Sequence, residues 1–454
     1  MVSKILIANR GEIALRIIRA CRELEIPSVA VYSEADARSM HVIEAEEAVC
    51  IGPGPAILSY LQVPAIIGAA EITGCDAIHP GYGFLAENPD FVEICRDNNL
   101  MFIGPGSGVM RMMGDKSLAK QTMKSARIPV IPGSEGTVAD AAAAARLAAE
   151  YGYPVMLKAA AGGGGKGMRL VGDENEMEGA FVMAAGEAEA SFGNGALYLE
   201  KVVPNPRHVE VQVLADKAGS VLTLGERDCS VQRRHQKLIE ESPSPLLKEE
   251  TRLEMAQAAI AACRACGYEN AGTVEFLVDA QENFYFMEMN ARVQVEHPVT
   301  EMVTGYDIVK EQIRIARGER LPLTGSVRTR GHAIEMRINA EDPDNDFRPN
   351  TGVLSRYRLP GGPGVRVDSH LYEGYEVPVF YDSLLAKLIV WDSNRPAAIA
   401  RALRALDELI IEGVVTNKEL CRAILSSEAF SGGAPTTAFI EENMPKLHQA
   451  VSRR

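Results

Sequence analysis

Long apolar runs and clusters of basic residues are both missing from this 454-residue sequence. A helix that spans a bilayer needs about 20 consecutive apolar residues, and no run approaches that length. Lys and Arg number 47 against 61 Asp and Glu, which gives a formal net charge of −14. Because nucleic acids attract basic surfaces, an acidic chain without a basic run is not expected to bind them. We therefore expect neither a membrane nor a nucleic-acid partner.

Patterns of disulfide or zinc binding are also lacking. The eight cysteines are scattered, and the C-x-x-C of Cys263 and Cys266 lies in AAIAACRACGY, which is typical of a helix that ends at Gly267. Without a second pair or a nearby histidine, a zinc or redox role is not expected. The first residues, MVSKILIANRGEI, lead into a strand-like run and not into the cleavable apolar segment of a signal peptide. These features favour a cytoplasmic location.

The length predicts two or three α/β domains. Residues 1–113 alternate short apolar runs with helical stretches, and this rhythm predicts a Rossmann-like parallel sheet. The first strand–helix turn, Ala8 to Glu12, carries one glycine and lacks the G-x-G-x-x-G of dinucleotide-binding domains. A dinucleotide-dependent dehydrogenase is therefore not expected.

Residues 130–203 are predicted to form a separate small unit. An Ala-rich helix is expected from about Thr137 to Gly152, with Asp140 completing a capping pair. Two short strands then flank the glycine run Gly162–Gly167. Consecutive glycines expose backbone N–H groups and permit close approach to phosphates. A flexible surface hairpin is the alternative interpretation of this run.

The most distinctive segment is FYFMEMNARVQVEHP, from Phe284 to Pro298. Alternate side chains of a strand share one face. Here that face would carry Glu288, Asn290, Arg292, Gln294 and Glu296. Such a polar series is costly to bury unless a charged ligand binds it. Fully extended, it would span about 26 Å at roughly 3.3 Å per residue, so the backbone is expected to bend after Asn290.

A second carboxylate is predicted to join this face. Glu275 lies inside the apolar strand Thr273–Val278, and a short loop returns the chain through Phe284–Asn290. Two antiparallel strands would place Glu275 beside Glu288. Carboxylate and amide oxygens suit a Mg²⁺ ion that also holds substrate phosphates. Structural ion pairs with arginine are the alternative.

Taken together, the motifs resemble the biotin carboxylase family of the ATP-grasp superfamily over nearly the whole chain. They are KILIANRGEIALRIIRA (4–20), HPGYGFLAEN (79–88), MGDK (113–116), GGGGKG (162–167), ERDCSVQRRHQK (226–237), EMNARVQVEHPVTE (288–301) and RINAEDP (337–343). The resemblance implies an α/β and α+β multidomain protein. Its parts would be an N-terminal α/β domain (1–113), an ATP-grasp region (114–316) with a mobile lid (130–203), and a mixed α/β C-terminal domain (317–454).

The resemblance also implies an ATP site between the lid and the C-terminal part. The residues implied to bind ATP are Lys116, Lys158, Gly164, Gly165, Glu200, Lys201, Val203, His208, Gln232, His235 and Leu277. Among them Glu200, Lys201 and Val203 would line the adenine pocket. The metal ligands for Mg²⁺ or Mn²⁺ would be Glu275, Glu288 and Asn290.

The reaction implied by the resemblance is ATP-dependent carboxylation of biotin with bicarbonate, through carboxyphosphate. Glu296 would act as the general base that deprotonates bicarbonate. The residues implied to hold bicarbonate are Lys237, Arg292, Gln294 and Val295. Arg337 would stabilise the biotin enolate, and Tyr82 would pack against biotin.

Two departures and one absence are informative. Ala161 and Lys166 stand in the glycine loop where related sequences often have Gly and Arg. The chain has no Met-Lys-Met biotin-attachment motif, because Met123-Lys124 is followed by Ser125. We therefore expect biotin to arrive on a separate carrier protein and the carboxyltransferase to be another chain. The resemblance further implies a homodimer.

Two other functions are kept as alternatives. Another ATP-grasp carboxylate–amine ligase would share Lys116, Lys158, Glu275 and Glu288 but would not require Arg337. A nucleotide-binding module without turnover would have no use for a general base. The acyl acceptor, such as the acetyl-CoA of fatty acid biosynthesis, pyruvate or propionyl-CoA, would be selected by the partner chain.

Overall fold

The N-terminal part of the chain is a parallel sheet with helices on its faces. The computed structural model describes residues 2–160, 167–322, 325–433 and 435–452. The first elements are β1 (Ile5–Ile7), α1 (Gly11–Glu23), β2 (Ser28–Tyr32), α2 (Met40–Glu44), β3 (Glu47–Cys50), α3 (Val63–Thr73), β4 (Ala77–His79), α4 (Pro89–Asp97), β5 (Met101–Phe102) and α5 (Ser107–Gly114). The strand order is β3-β2-β1-β4-β5, with every pair parallel. The predicted Rossmann-like sheet is confirmed.

A small antiparallel sheet and its helices form the next part. The elements are α6 (Lys116–Ser125), α7 (Ala141–Tyr151), β6 (Val155–Ala159), β7 (Met168–Val171), α8 (Met177–Phe192) and β8 (Leu197–Lys201). The strand order is β7-β6-β8. The predicted start of the helix near Thr137 is wrong, because Val138 bridges to Leu197 and holds that segment extended. The helix begins at Ala141, and its cap is the Asp140 side chain, which accepts from the Ala143 N–H. Gly164 and Gly165 lie outside the described residues.

A nine-stranded sheet makes up the rest of the framework. Its first part contains β9 (Arg207–Ala215), β10 (Val221–Arg233), β11 (Gln236–Ser242), α9 (Glu249–Cys266), β12 (Asn270–Val278), β13 (Phe284–Asn290), α10 (His297–Thr304), α11 (Ile308–Ala316) and β14 (Gly325–Ser326). The order is β13-β12-β9-β10-β11-β15-β22-β20, where β15 is His332–Asn339, β20 is Val365–Ser369 and β22 is Leu384–Asp392; β14 pairs with β10. The long strands are antiparallel, so ligand side chains of neighbouring strands face each other.

Helices and short strands complete the C-terminal part. They are β16 (Glu341–Asp342), β17 (Arg348–Pro349), β18 (Gly352–Val353), β19 (Arg356–Arg358), β21 (Glu376–Val377), α12 (Arg395–Glu408), β23 (Ile410–Glu412), α13 (Lys418–Ser426), α14 (Glu428–Ser431) and α15 (Phe439–Ser452). The apolar faces of α12, α13, α14 and α15 pack on β11, β15 and β22 around Met336, Leu388 and Leu406. The large sheet is continuous across residue 316, because β14 pairs with β10. The domain boundaries at 113 and 316 stay predictions.

The two cysteines of the C-x-x-C pattern are part of the hydrophobic core beneath helix α9. Cys263 and Cys266 are buried with Met255 and Val274 in the apolar layer between α9 and the sheet. Burial raises the pKa of the Cys266 thiol to about 11, so this thiol stays neutral. No helix among the described residues is both long and apolar enough to cross a membrane. The cytoplasmic location stays a prediction.

Candidate active site

One cleft of about 980 Å³ lies between the parts of the fold. Residues of the N-terminal part, the small sheet and the nine-stranded sheet all line it. Every predicted site residue that the structure describes is among them. These are Tyr82, Lys116, Lys158, Glu200, Lys201, Val203, His208, Gln232, His235, Lys237, Glu275, Leu277, Glu288, Asn290, Arg292, Gln294, Val295, Glu296 and Arg337. Their individual roles stay predictions, but the fold places them around one space.

Three neighbouring strands set a row of carboxylates in this cleft. Glu275 on β12 stands opposite Glu210 on β9 and opposite Glu288 on β13. Residues opposite each other on antiparallel strands project to the same face, so three like charges are adjacent. The Lys237 ammonium offsets two of them, since its Nζ lies 2.7 Å from Glu210 and 3.5 Å from Glu275, and the His208 ring is hydrogen-bonded to Glu275 at 2.6 Å.

Glu288 is the carboxylate of this row that lacks a close partner. No described residue donates a hydrogen bond to it, and burial together with Glu275 raises its pKa above the ordinary value. The side-chain amide of Asn290 lies 2.7 Å from Glu275 on the same face. A divalent cation would relieve this repulsion, and two carboxylates with an amide oxygen are ligands that Mg²⁺ accepts. The predicted metal ligands therefore fit such an ion.

Glu296 is the point where the cations of the cleft converge. Its carboxylate is fully buried, 2.5 Å from Lys237 Nζ and 2.9 Å from Arg337 Nη2. Burial alone would raise its pKa, but Lys237, Arg337 and Arg227 lower it well below the ordinary value. Glu296 is therefore ionised near neutral pH, the state that a proton acceptor needs.

Arg337 is held between two carboxylates. Its Nε lies 2.5 Å from Glu240, and its Nη2 reaches Glu296. Burial raises the pKa of Glu240 to about 7, with Arg337 opposing this shift and Glu296 adding to it. Since both acids fix the planar guanidinium, Arg337 has one orientation at the edge of the cleft.

The chain bends after β13, as the length of the polar series predicted. Strand β13 ends at Asn290 and α10 begins at His297, so the residues between them form a turn. Arg292 fixes this turn through bonds of 2.7 Å to the Gln294 side chain and 3.0 Å to the Asn290 side-chain oxygen. Glu87 of the N-terminal part holds the other edge of Arg292 at 2.9 Å. The bend brings Arg292, Gln294 and Glu296 beside the carboxylate row.

Another group of residues that line the cleft is apolar, and we call the part that they line the apolar end. Ile131, Met156, Val203, Leu277 and Met287 line it, together with the backbone that follows β8. This space suits a flat heterocycle. The Glu200 carboxylate, predicted to line the adenine pocket, pairs with Lys158 at 2.6 Å and with Lys120 at 3.1 Å.

At the end of the cleft that contains Arg337, Tyr82 is fixed by two contacts. Its hydroxyl donates a hydrogen bond to Glu12, and its carbonyl accepts one of 2.7 Å from Asn9. Tyr82 and Arg337 both line this end of the cleft. A second substrate that binds there would lie next to the Glu296 cluster.

Several ionisable residues around the site were not predicted. Arg227 is fully buried behind Glu210, at 2.5 Å, and Glu240 and Glu87 hold the two predicted arginines. The missed signal for Glu240 and for Lys387, which is also fully buried, is a charge inside an apolar strand, in KLIEES and LLAKLIVWD. Glu87 gives no such signal, because it lies in a loop.

The buried ion pair of Arg227 and Glu210 should contribute to the stability of the fold. Breaking a buried ion pair costs about 3–5 kcal/mol; here the loss of Arg227 would leave Glu210 paired with Lys237 alone and would remove the donor to the buried Gln212 side-chain oxygen. Arg227→Met should therefore lower the free energy of unfolding in urea by about that amount. Arg96→Met, at an exposed arginine whose partner Asp97 is also exposed, should change it by less than about 0.5 kcal/mol. Equal urea curves for the two variants would contradict this assignment.

Comparison with known proteins agrees with this architecture. Three family models match the chain: "Biotin carboxylase, N-terminal domain" over residues 1–110, "Carbamoyl-phosphate synthase L chain, ATP binding domain" over 115–324, and "Biotin carboxylase C-terminal domain" over 335–442. The fold and the cleft are those of an ATP-dependent enzyme of the ATP-grasp class. The chain belongs to the biotin carboxylase family.

Individual relatives match it from end to end. Biotin carboxylase of Nostoc sp. is 56% identical, over 97% of this chain and 98% of the relative. A crystal structure of biotin carboxylase from Campylobacter jejuni with βγ-ATP is 51% identical, with a TM-score of 0.95, covering 97% of this chain and 99% of that one. The biotin carboxylase domain dimer of Hydrogenobacter thermophilus 2-oxoglutarate carboxylase, with MgADP, ADP and bicarbonate, is 49% identical; its TM-score is 0.94, and the match covers 98% of each chain.

Proposed function

We propose that this chain carboxylates biotin on a separate carrier protein, using ATP and bicarbonate with carboxyphosphate as the intermediate. The observation that carries this proposal is the position of Glu296. Its ionised carboxylate lies between Lys237 and Arg337, one turn of chain away from the carboxylate row that suits a metal–nucleotide. A site for ATP alone needs no buried base at this place.

ATP is proposed to bind with its adenine at the apolar end and its phosphates toward Lys116, Lys158 and His208. Lys158 would exchange its bond to Glu200 for a phosphate oxygen, since a cationic side chain pairs readily with either anion. Glu275, Glu288 and Asn290 would hold Mg²⁺ or Mn²⁺, which neutralises phosphate charge when bound. Positioning and charge neutralisation provide most of the rate acceleration in phosphoryl transfer.

Bicarbonate is proposed to bind at the turn after Asn290. Arg292 offers a planar pair of donors that matches a planar anion, with Gln294, Lys237 and the Val295 backbone around it. Glu296 would take the proton of bicarbonate. An oxygen of bicarbonate would attack the γ-phosphorus of ATP, and ADP would leave. The products of this step are ADP and carboxyphosphate.

Biotin is proposed to enter at the end with Tyr82 and Arg337. Carboxyphosphate would break down there to CO₂ and phosphate, and the phosphate would accept the ureido N–H proton. The resulting enolate oxygen would face Arg337, whose fixed charge stabilises it. The ureido nitrogen then attacks CO₂ to give carboxybiotin.

Partners are proposed on the same basis. Within the family, the catalytic chain works with a biotin carrier and a carboxyltransferase, and we propose both for this chain. One of the pyruvate carboxylase subunits of Methanothermobacter thermautotrophicus is 54% identical, close to the value for the bacterial biotin carboxylases. The acyl acceptor would therefore be chosen by the carboxyltransferase. The dimer of the Hydrogenobacter domain supports a homodimer.

ADP release tests this proposal. We expect release to depend on bicarbonate and to rise further when free biotin is added, because the two bind at adjoining parts of one cleft. Release that is independent of both compounds would refute the proposal. Release that depends on an amine and an acyl substrate would instead favour the alternative carboxylate–amine ligase.

The proposed metal ligands give a further prediction. Glu288→Gln removes one charged ligand, so the Mg²⁺ concentration for half-maximal ADP release should rise at least about tenfold. The matched control is Glu249→Gln, at a glutamate on the exposed start of α9, which should leave the Mg²⁺ dependence unchanged. An unchanged Mg²⁺ midpoint in Glu288→Gln would remove this residue from the metal site.

A further inference from the structure

Lys387 is a buried cation that the reaction described above does not use. It lies on β22 with no exposed surface, and its strand neighbours Ala386 and Leu388 face the apolar core on the other side of the sheet. Burial alone would lower the pKa of Lys387, but Glu12, Asp368 and Glu335 raise it above the ordinary value. The ammonium is therefore charged, and its three donors need partners.

Those partners belong to the turn proposed to hold bicarbonate and to the end of the cleft proposed to hold biotin. Lys387 Nζ donates a 3.0 Å hydrogen bond to the Val295 carbonyl, in the turn proposed to hold bicarbonate. The same nitrogen lies 3.1 Å from the Glu12 carboxylate. Glu12 in turn accepts a hydrogen bond from the hydroxyl of Tyr82, at the end proposed for biotin. A chain of contacts thus runs Tyr82–Glu12–Lys387–Val295.

This chain of contacts is anchored from behind. Asp368 lies 3.8 Å from Lys387 and accepts hydrogen bonds from Nε and Nη2 of Arg366, at 2.8 and 2.7 Å. The ammonium therefore cannot move toward one partner without leaving another. Since buried polar groups that lose a partner are costly, the contacts fix the Val295 turn and the Tyr82 ring relative to each other.

We propose that Lys387 is a positioning residue that ties the bicarbonate turn to the biotin-side tyrosine. It touches neither substrate. It sets the distance between them by holding the Val295 carbonyl and, through Glu12, the Tyr82 hydroxyl. This proposal rests on the proposed function, because that function assigns bicarbonate to the Val295 turn and biotin to the Tyr82 end.

The experiment measures KM for each of three substrates in ADP-release and carboxylation assays. Lys387→Met keeps the length of the side chain and removes its charge. We expect KM for bicarbonate and KM for biotin to rise about tenfold each, from the loss of a charge-assisted hydrogen bond at each end. KM for ATP should stay within about twofold, because the adenine and phosphate contacts are on other strands.

Two further variants keep the test decisive. Glu12→Gln retains an acceptor for Tyr82 but weakens the tie to Lys387, so it should raise the same two KM values even if Lys387→Met does not fold. Lys248→Met is the matched control, at a lysine whose side chain is 72% exposed. It should change none of the three KM values. A fall in thermal stability or kcat with both KM values unchanged would overturn the proposal and leave a structural role. If ADP release by the unmodified chain did not depend on bicarbonate, the proposed function would be refuted instead.

Discussion

Glu296→Ala should bind MgATP with unchanged affinity and lose biotin-dependent turnover by about 10²–10⁴-fold, the range for loss of a general base. The reason is geometric. Glu296 lies between Lys237 and Arg337, at 2.5 and 2.9 Å, and is not part of the row of carboxylates that contains Glu275 and Glu288. ATP affinity is measured by titration of a fluorescent analogue, and turnover by carboxybiotin formed.

Glu296→Gln is the matched variant for this prediction. It keeps the volume and one oxygen for Lys237 but cannot accept a proton, so its turnover should fall as far as that of the alanine variant. If the glutamine variant kept most of the activity, Glu296 would not be the general base. Weakened ATP binding in either variant would mean that Glu296 belongs to the nucleotide site.

Arg337→Ala should separate the two halves of the reaction. We expect carboxylation of biotin to fall by about 10²–10³-fold, as when a donor to a developing oxyanion is removed. Bicarbonate-dependent ADP release should fall much less, because Arg292 and Lys237 remain at the bicarbonate turn. Parallel measurement of ADP and carboxybiotin in one reaction gives the ratio directly.

The control for Arg337 is Arg234→Ala. Arg234 is an arginine next to the same sheet whose side chain is 66% exposed and pairs with the exposed Asp346. Its replacement should leave both rates within about twofold, as expected for a surface pair. Equal losses of ADP release and carboxylation in Arg337→Ala would count against the enolate role and would indicate that Arg337 mainly holds Glu296.

The local patterns that the sequence predicts well are those set by periodicity. The β1, β2 and β4 strands appear as short apolar runs, and the Glu275–Glu288 pair follows from alternation on two antiparallel strands. The bend after Asn290 follows from chain length alone. Each of these depends on neighbours within a few residues or across one hairpin.

The contacts that the sequence does not reveal join distant strands. Glu240 meets Arg337 because β11 pairs with β15, and Lys387 meets Glu12 because β22 comes against the first helix. Nothing near these residues in the sequence identifies their partners. The early start predicted for α7 has a similar cause, since the Val138–Leu197 bridge is a tertiary contact.

The most direct test of the central claim follows isotope from bicarbonate into biotin. The chain would be incubated with MgATP, ¹⁴C-bicarbonate and free biotin, and acid-labile label on biotin would be counted against ADP. We predict one labelled carboxyl group for each ADP released when biotin is saturating, and label on biotin that forms at least about 100-fold more slowly with Glu296→Gln. ADP formed without label on biotin, or label formed without ATP, would contradict the account.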